Sequence, residues 1–261
     1  LNLGGFNKKF EVKCFKYTIS QTGTKMPTAI ITGGAVRIGR VMALHLADKG
    51  FNIALHYHKS NPSAVIEEIK SYGVHCQSYS CDFSNLIQAE QFIARVLTDF
   101  DDVELLINSA ANFIQENLEE TQRDTLIDTL HLNLMSPYLL MRDYKRTINK
   151  GMVVNIIDER VRKHISTFGA YSVSKVGLKY LTELAAVEWG ETVRVNGIAP
   201  GLILPPQGKA PDYLEKAAKK VPTRTYGKTE NLLQALDYLI ENQFVNGDTL
   251  FVDGAESWQH L

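Results

Sequence analysis

From residue 28 onward the chain alternates short β-branched runs with longer amphipathic stretches, and no other feature restricts its fold as much. The runs expected to be strands are 28–32, 52–57, 74–80, 105–108, 153–157, 193–198 and 249–252. Helical periodicity covers 38–49, 63–71, 86–98, 126–148, 170–189 and 231–240 between them. Strands this short and apolar, separated by helices, belong in a parallel sheet covered on both faces. Right-handed crossovers wind such a sheet doubly, which predicts a Rossmann-type α/β domain of about seven strands. The Pro/Gly-richer stretch 199–211 reads as a long loop, because the sheet needs one more strand after it.

At 261 residues the chain is long enough for one large core, so residues 26–261 are expected to form a single domain. Residues 1–25 differ from the rest: five lysines face one acid, Glu11, with no sustained period. They read as a loose basic extension outside the fold, with Met26 as the natural start. The 28 basic and 29 acidic residues leave a net charge of −1, which offers no footprint for nucleic acid. No apolar run approaches the roughly 18 residues that span a bilayer. Cys14, Cys76 and Cys81 have neither the number nor the spacing of a disulfide framework or a zinc site, which fits a reducing, cytoplasmic setting.

Three residues carry candidate chemistry. Tyr171 and Lys175 are four apart, so on a helix both project from one face. Asp158 precedes Tyr171 by thirteen residues, at the end of an apolar run. A phenol titrates near 10 unperturbed, and a neighbouring Lys175 ammonium is expected to stabilise its anion. Alone, such a pair is a common feature of solvated helices. The turn after the first strand, Thr32-Gly33-Gly34-Ala35-Val36-Arg37-Ile38-Gly39, adds weight. Small residues between a strand and a helix let a pyrophosphate approach backbone N–H groups at the positive helix end.

Together these motifs resemble the short-chain dehydrogenase/reductase family, with its Thr-Gly-x-x-x-Gly-x-Gly fingerprint, from about residue 28 to 254. Asn108-Ser109-Ala110 matches the segment after the fourth strand, and Asn133 the helix asparagine that steadies the catalytic lysine through water. Pro200-Gly201 follows the sixth strand, and Val252-Asp253-Gly254 closes the chain as in the family. Two departures narrow the resemblance. Arg37 replaces the middle glycine, and Asp158 replaces the usual catalytic serine. Both are similar to the pteridine reductase and dihydromonapterin reductase branch, as is His56-Tyr57-His58-Lys59-Ser60 after the second strand.

The resemblance implies a catalytic set of Asp158, Tyr171, Lys175 and Asn133. It implies cofactor contacts at Gly33, Arg37, Ile38, Gly39, Tyr57, His58, Lys59, Ser60, Asp82, Phe83, Asn108, Ser109, Ala110, Tyr171, Lys175, Pro200 and Gly201. No acid stands between Phe51 and Asn61 to repel a 2′-phosphate, while His58, Lys59, Ser60 and Arg37 suit one, so NADPH is the expected cofactor. Asp82 is expected at the adenine amino group; its plainer role is a helix N-cap ahead of Leu86. An ionised carboxylate only accepts hydrogen bonds, so Asp158 suits a substrate rich in N–H groups, as a reduced pterin is. Asp158 can also hold Tyr171 in place or carry a proton itself, and the sequence leaves these roles open. Phe113 aligns with the ring that sandwiches the pterin; its plainer role is an ordinary core phenylalanine. Ala111 stands where the branch commonly has serine. The expected function is reduction of dihydromonapterin, dihydrobiopterin or dihydrofolate by an oligomer, commonly a tetramer in this family. A general ketone or 3-oxoacyl reductase and a non-catalytic NADPH sensor are the competing readings.

Overall fold

The computed structural model describes residues 25–206 and 208–259, so the expectation for the N-terminal extension lies almost wholly outside the described residues. Seven parallel strands form one sheet in the order β3-β2-β1-β4-β5-β6-β7. They are β1 (Thr28–Thr32), β2 (Asn52–Tyr57), β3 (Cys76–Ser80), β4 (Val103–Asn108), β5 (Met152–Ile156), β6 (Arg194–Pro200) and β7 (Thr249–Val252). The helices are α1 (Arg37–Asp48), α2 (Ser63–Ser71), α3 (Leu86–Val96), α4 (Arg123–Leu130), α5 (Ser136–Thr147), α6 (Gly169–Trp189), α7 (Tyr213–Ala218) and α8 (Thr229–Glu241).

Successive strand side chains point to opposite faces, so adjacent Ile30 and Ile31 anchor two separate cores. Ile31 packs with Met42 and Leu46 of α1 and with Leu232 and Leu236 of α8. Ile30 packs with Phe92 of α3, Tyr144 of α5 and Ala185 of α6. Burying an aliphatic side chain of this size contributes roughly 1.5–3 kcal/mol, and truncating one to Ala costs about 2–5 kcal/mol. The strand order reverses between β1 and β4, and a crevice opens there at the carboxyl ends of the strands.

The sequence pattern anticipated the sheet, with shifts of one or two residues at the ends of β3, β4, β5 and β6. The helix expected over 126–148 is instead two helices, α4 and α5, joined by a π-turn at His131–Met135. Pro137 explains the break: it has no N–H to donate to the Asn133 carbonyl four residues earlier, and its ring crowds that carbonyl. The Ser136 N–H reaches back to the His131 carbonyl, five residues away, and the widened turn turns Asn133 inward. The loop after β6 begins at Gly201 rather than Ala199, and the short helix α7 beyond it was not anticipated.

Candidate active site

The carboxyl ends of the strands surround a cleft of about 770 Å³. All but two of the candidate residues named from the sequence line it. Asn108 and Asn133 lie beneath the cleft, both buried.

At one end, the β1–α1 turn is held by a buried imidazole. Gly33 N–H donates to His56 Nδ1 at 2.9 Å, and His56 Nε2 lies 3.0 Å from the Cys81 carbonyl. The ring must therefore be neutral, with its proton on Nε2. Burial drives its pKa down to about 4, and the Cys81 carbonyl only partly opposes this. Phe83 stacks on the ring at 4.0 Å. One histidine thereby fixes the turns after β1, β2 and β3 relative to each other. Sequence reading quoted His56 within a motif but gave it no role.

The turn is also bare. Gly33 adopts φ +66°, and an added Cβ would lie 3.0 Å from Ala110 Cα. A Cβ on Gly39 would lie 2.3 Å from the Gly33 carbonyl oxygen, so only glycine lets α1 start this close to the turn. No side chain caps α1, and its first turn carries no acid, so its N–H groups face the cleft uncompensated. Thr32 Oγ1 accepts from Ser109 N–H at 2.9 Å and Ala110 N–H at 3.0 Å, joining the ends of β1 and β4. A pyrophosphate fits this cradle on the donors alone. Arg37 has φ +52°, the left-handed conformation that favours glycine. Its guanidinium donates to the Pro205 carbonyl at 3.0 Å, crossing from the first turn to the loop after β6.

Beyond this turn, His58 and Lys59 are exposed and Ser60 half-buried at the end of β2. Asp82 does not cap α3; Asn85 does, accepting from the Ile87 and Gln88 N–H groups. Asp82 accepts instead from the Ser84 N–H and hydroxyl, and its second oxygen lies 3.8 Å from His58 Nε2. Burial opposes its ionisation, but these bonds and the nearby His58 and Lys59 charges hold its carboxyl below the usual range.

The other end of the cleft holds Asp158, Tyr171 and Lys175. Asp158 lies two residues past the end of β5 and uses both oxygens. Oδ1 accepts from Arg160 N–H at 2.8 Å, and Oδ2 accepts from the Tyr171 hydroxyl at 2.6 Å. One carboxylate thus caps the turn that follows it and also holds the Tyr171 hydroxyl. Lys175 is buried one helical turn further along α6 and donates to the Ile156 carbonyl at 2.7 Å. Burial lowers its pKa to about 8, against the pull of Asp158.

The expectation that Lys175 would ease ionisation of Tyr171 is not met in this geometry. Burial, then the charge and hydrogen bond of Asp158, push the phenol well above its ordinary value. The Lys175 ammonium sits 5.8 Å from the ring centre, whereas the carboxylate holds the phenolic proton directly. Asn133 accepts from Asn112 N–H at 3.0 Å and donates to Asn112 Oδ1 and Ser174 Oγ. It therefore fixes the segment leading to Phe113. Asn108 donates to Asn155 Oδ1 at 2.8 Å, and Asn155 continues to Thr182 Oγ1 at 2.8 Å, a buried chain under the cleft floor.

Phe113 is 44% exposed, so it is no core residue. Its ring stacks on Phe168 at 4.4 Å and meets the Tyr171 ring edge-on at 4.8 Å. The Arg160 guanidinium lies 4.5 Å over Phe168. Phe168, Glu159, Arg160 and Glu256 belong to this region, and sequence reading missed all of them. Only the adjacency of Glu159 and Arg160 to Asp158 offered a signal.

A family model described as enoyl-(acyl carrier protein) reductase matches residues 34–255, most of the chain. The chain belongs to the short-chain dehydrogenase/reductase family. It is an oxidoreductase of that family. It is 30% identical to glucose 1-dehydrogenase 2 of Bacillus subtilis, over 87% of this chain and 93% of that one. It is 27% identical to the 3-oxoacyl-[acyl-carrier-protein] reductase FabG of Staphylococcus epidermidis, over 87% and 97%. Among solved structures, FolM alternative dihydrofolate reductase 1 from Brucella suis, in complex with NADP, superposes with a TM-score of 0.85. That similarity covers 90% of this chain and 96% of FolM at 26% identity. The Brucella canis FolM, also complexed with NADP, gives a TM-score of 0.83 at 26% identity. The ordinary dehydrogenase relatives and the FolM structures thus share the short-chain dehydrogenase/reductase frame seen here.

Proposed function

We propose that this protein is an NADPH-dependent reductase of dihydropterins, taking dihydromonapterin, dihydrobiopterin or dihydrofolate to the tetrahydro form. The observation that carries the reading is the 2.6 Å hydrogen bond from Tyr171 to Asp158, in a site where a ketone reducer uses a serine donor. A carboxylate accepting from Tyr171 and Arg160 retains a free lone pair on each oxygen. Those lone pairs suit the N–H and amino groups of a pterin, and they disfavour a carbonyl oxygen becoming an alkoxide. The NADP complexes of the FolM structures support the choice of cofactor.

The bare turn of Gly33 and Gly39 with the α1 N-terminus would hold the pyrophosphate. Arg37, His58, Lys59 and Ser60 would hold the 2′-phosphate, and Lys175 the nicotinamide ribose. When bound, the cofactor supplies a hydride to a C=N carbon. Tyr171 keeps a proton at its hydroxyl for the nitrogen that accepts it, and Asp158 orients both that hydroxyl and the substrate. Phe113, backed by Phe168, offers its remaining face to a flat heterocycle.

The exposed side of α6 carries Val173, Val176, Tyr180, Leu184 and Val187, spaced as one stripe opposite the buried face. With Met135 and Tyr138 beside it, this stripe supports a homo-oligomer, a tetramer as in the family. The 3-oxoacyl reductase relative keeps ketone reduction as the rival reading. NADPH oxidation by purified protein across dihydropterins, dihydrofolate, acetoacetyl thioesters and simple ketones separates the two. Ready ketone reduction with no dihydropterin turnover would end the pterin reading.

A further inference from the structure

Behind Asp158 lies a buried group of charges that the proposed chemistry does not yet use. Glu159 opens the 3-10 turn Glu159–Arg162 and is 4% exposed, although it lines the cleft. Lys163 Nζ lies 2.8 Å from Glu159 Oε2 and 3.3 Å from Glu256 Oε1. The two contacts are unequal. Glu256 receives a hydrogen bond from Lys163 and, on its other oxygen, one from Leu202 N–H at 3.1 Å. Glu159 Oε2 has the ammonium close by but off the line of a hydrogen bond, and it has no aligned donor among the described residues. One cation therefore serves two carboxylates brought together from opposite ends of the chain's catalytic half.

The groups facing Glu159 can be named element by element. Asp158 precedes it in the chain, Tyr171 lines the same cleft from α6, and Glu256 shares Lys163 with it from the C-terminal 3-10 turn Glu256–Trp258. Lys163 is the cation. Arg160 is turned onto Phe168, and Arg162 onto Phe251 and Trp258. Lys175, also on α6, is hydrogen-bonded to the Ile156 carbonyl. Burial raises the Glu159 carboxyl to about 7; Lys163 opposes this, while Glu256 and Asp158 add to it. An acid so placed changes charge in the range where the reaction would run.

We propose that Glu159 is a positioning residue for the proposed reduction: its neutral form lets the Asp158–Tyr171 pair release the phenolic proton, and its ionisation suppresses that release. The inference rests on the proposed function above. When Tyr171 gives its proton to the substrate nitrogen, the O–H electron pair stays on the phenolate, next to the Asp158 carboxylate. A second carboxylate beside that pair raises the phenol's pKa further and makes it a poorer acid. Glu159 itself transfers no proton to substrate; solvent later returns the proton to Tyr171.

The test is the pH profile of kcat with whichever substrate the panel identifies. It is paired with carboxyl titration of the free protein by NMR on carbon-13-labelled glutamate. Wild-type kcat should fall several-fold as Glu159 ionises, because a second carboxylate charge makes the phenol a weaker acid. Glu159→Gln should abolish that limb and remove one carboxyl resonance titrating near neutrality. Two further variants shift it in opposite directions and do not depend on Glu159→Gln folding. Lys163→Met should move the limb and the NMR midpoint up, and Glu256→Gln should move both down. The pH dependence of NADPH affinity should be the same in each variant as in the wild type, because the cofactor phosphates would lie at the other end of the cleft. A Glu159 resonance titrating near 4.5, or an unchanged limb in Glu159→Gln, overturns the inference. Absence of dihydropterin turnover alongside a near-neutral Glu159 resonance instead defeats the substrate assignment and leaves the charge cluster standing.

Discussion

The Tyr171 hydroxyl donates its only proton to Asp158 Oδ2 at 2.6 Å. A ketone reducer would point that proton at the substrate; under the proposed function, Asp158 and substrate would compete for it or share it. This makes the pair a unit, and its members should fail in the same way. Tyr171→Phe and Asp158→Ser should each lower kcat about 10²–10⁴-fold, the usual range for a lost general acid, while NADPH still binds. Phe113→Ala should mainly raise KM, since stacking acts on ground and transition states alike. Steady-state kinetics on the three variants checks this. A KM effect without a kcat effect in Tyr171→Phe would remove the phenol from the chemistry.

Arg37 holds a left-handed backbone at φ +52°. A non-glycine residue in that conformation costs about 1–2 kcal/mol. Its exposed hydrogen bond to Pro205 returns only part of that. Arg37→Gly should therefore leave the free protein as stable or up to about 1 kcal/mol more stable. The same change should weaken NADPH binding roughly tenfold, through loss of one charge-assisted contact. Urea unfolding and cofactor titration give the two numbers, and a clear loss of stability would contradict the strain argument.

Lys59 is exposed at the end of β2 and makes no close ion pair among the described residues. Lys59→Ala should cost roughly ten- to hundredfold in NADPH affinity, corresponding to about 1.5–3 kcal/mol for a contact with a charged phosphate. NADH affinity should stay almost unchanged. Equal losses for both cofactors would show that Lys59 does not read the 2′-phosphate.

Legibility from sequence follows the range of the interactions involved. β1, β2 and β7 fall at their expected residues because local β-branched patterning decides them. The split of the α4–α5 helix was signalled by Pro137, but apolar periodicity continues across the break and hides it. Most cleft residues were legible because they sit on the short segment just after a strand. Glu256 was not, since it reaches Glu159 and Lys163 from the far end of the chain, and no local pattern encodes that meeting. The unmet expectation for Tyr171 has the same origin. The spacing of Tyr171 and Lys175 shows that they share a helix face, but only tertiary geometry shows Asp158 closer to the phenol's proton than Lys175 is.

His56 should be the residue that makes the cofactor end acid-sensitive. Its imidazole accepts from Gly33 N–H and donates to the Cys81 carbonyl, which the protonated ring cannot do, since it has no lone pair left. The unfolded residue takes a proton near 6.5, and the folded one only near 4. Between those values the unfolded state binds more protons, so stability falls as the pH drops from 6.5 toward 4. The loss at the low end amounts to about 3 kcal/mol from this one group. Nitrogen NMR at neutral pH should show Nδ1 unprotonated and Nε2 protonated. His56→Asn should be less stable at pH 7 yet lose less on acidification, because it has no imidazole to charge. An imidazole titrating near 6.5 in the folded protein would mean that His56 does not hold the Gly33 turn, and the cradle would need another support.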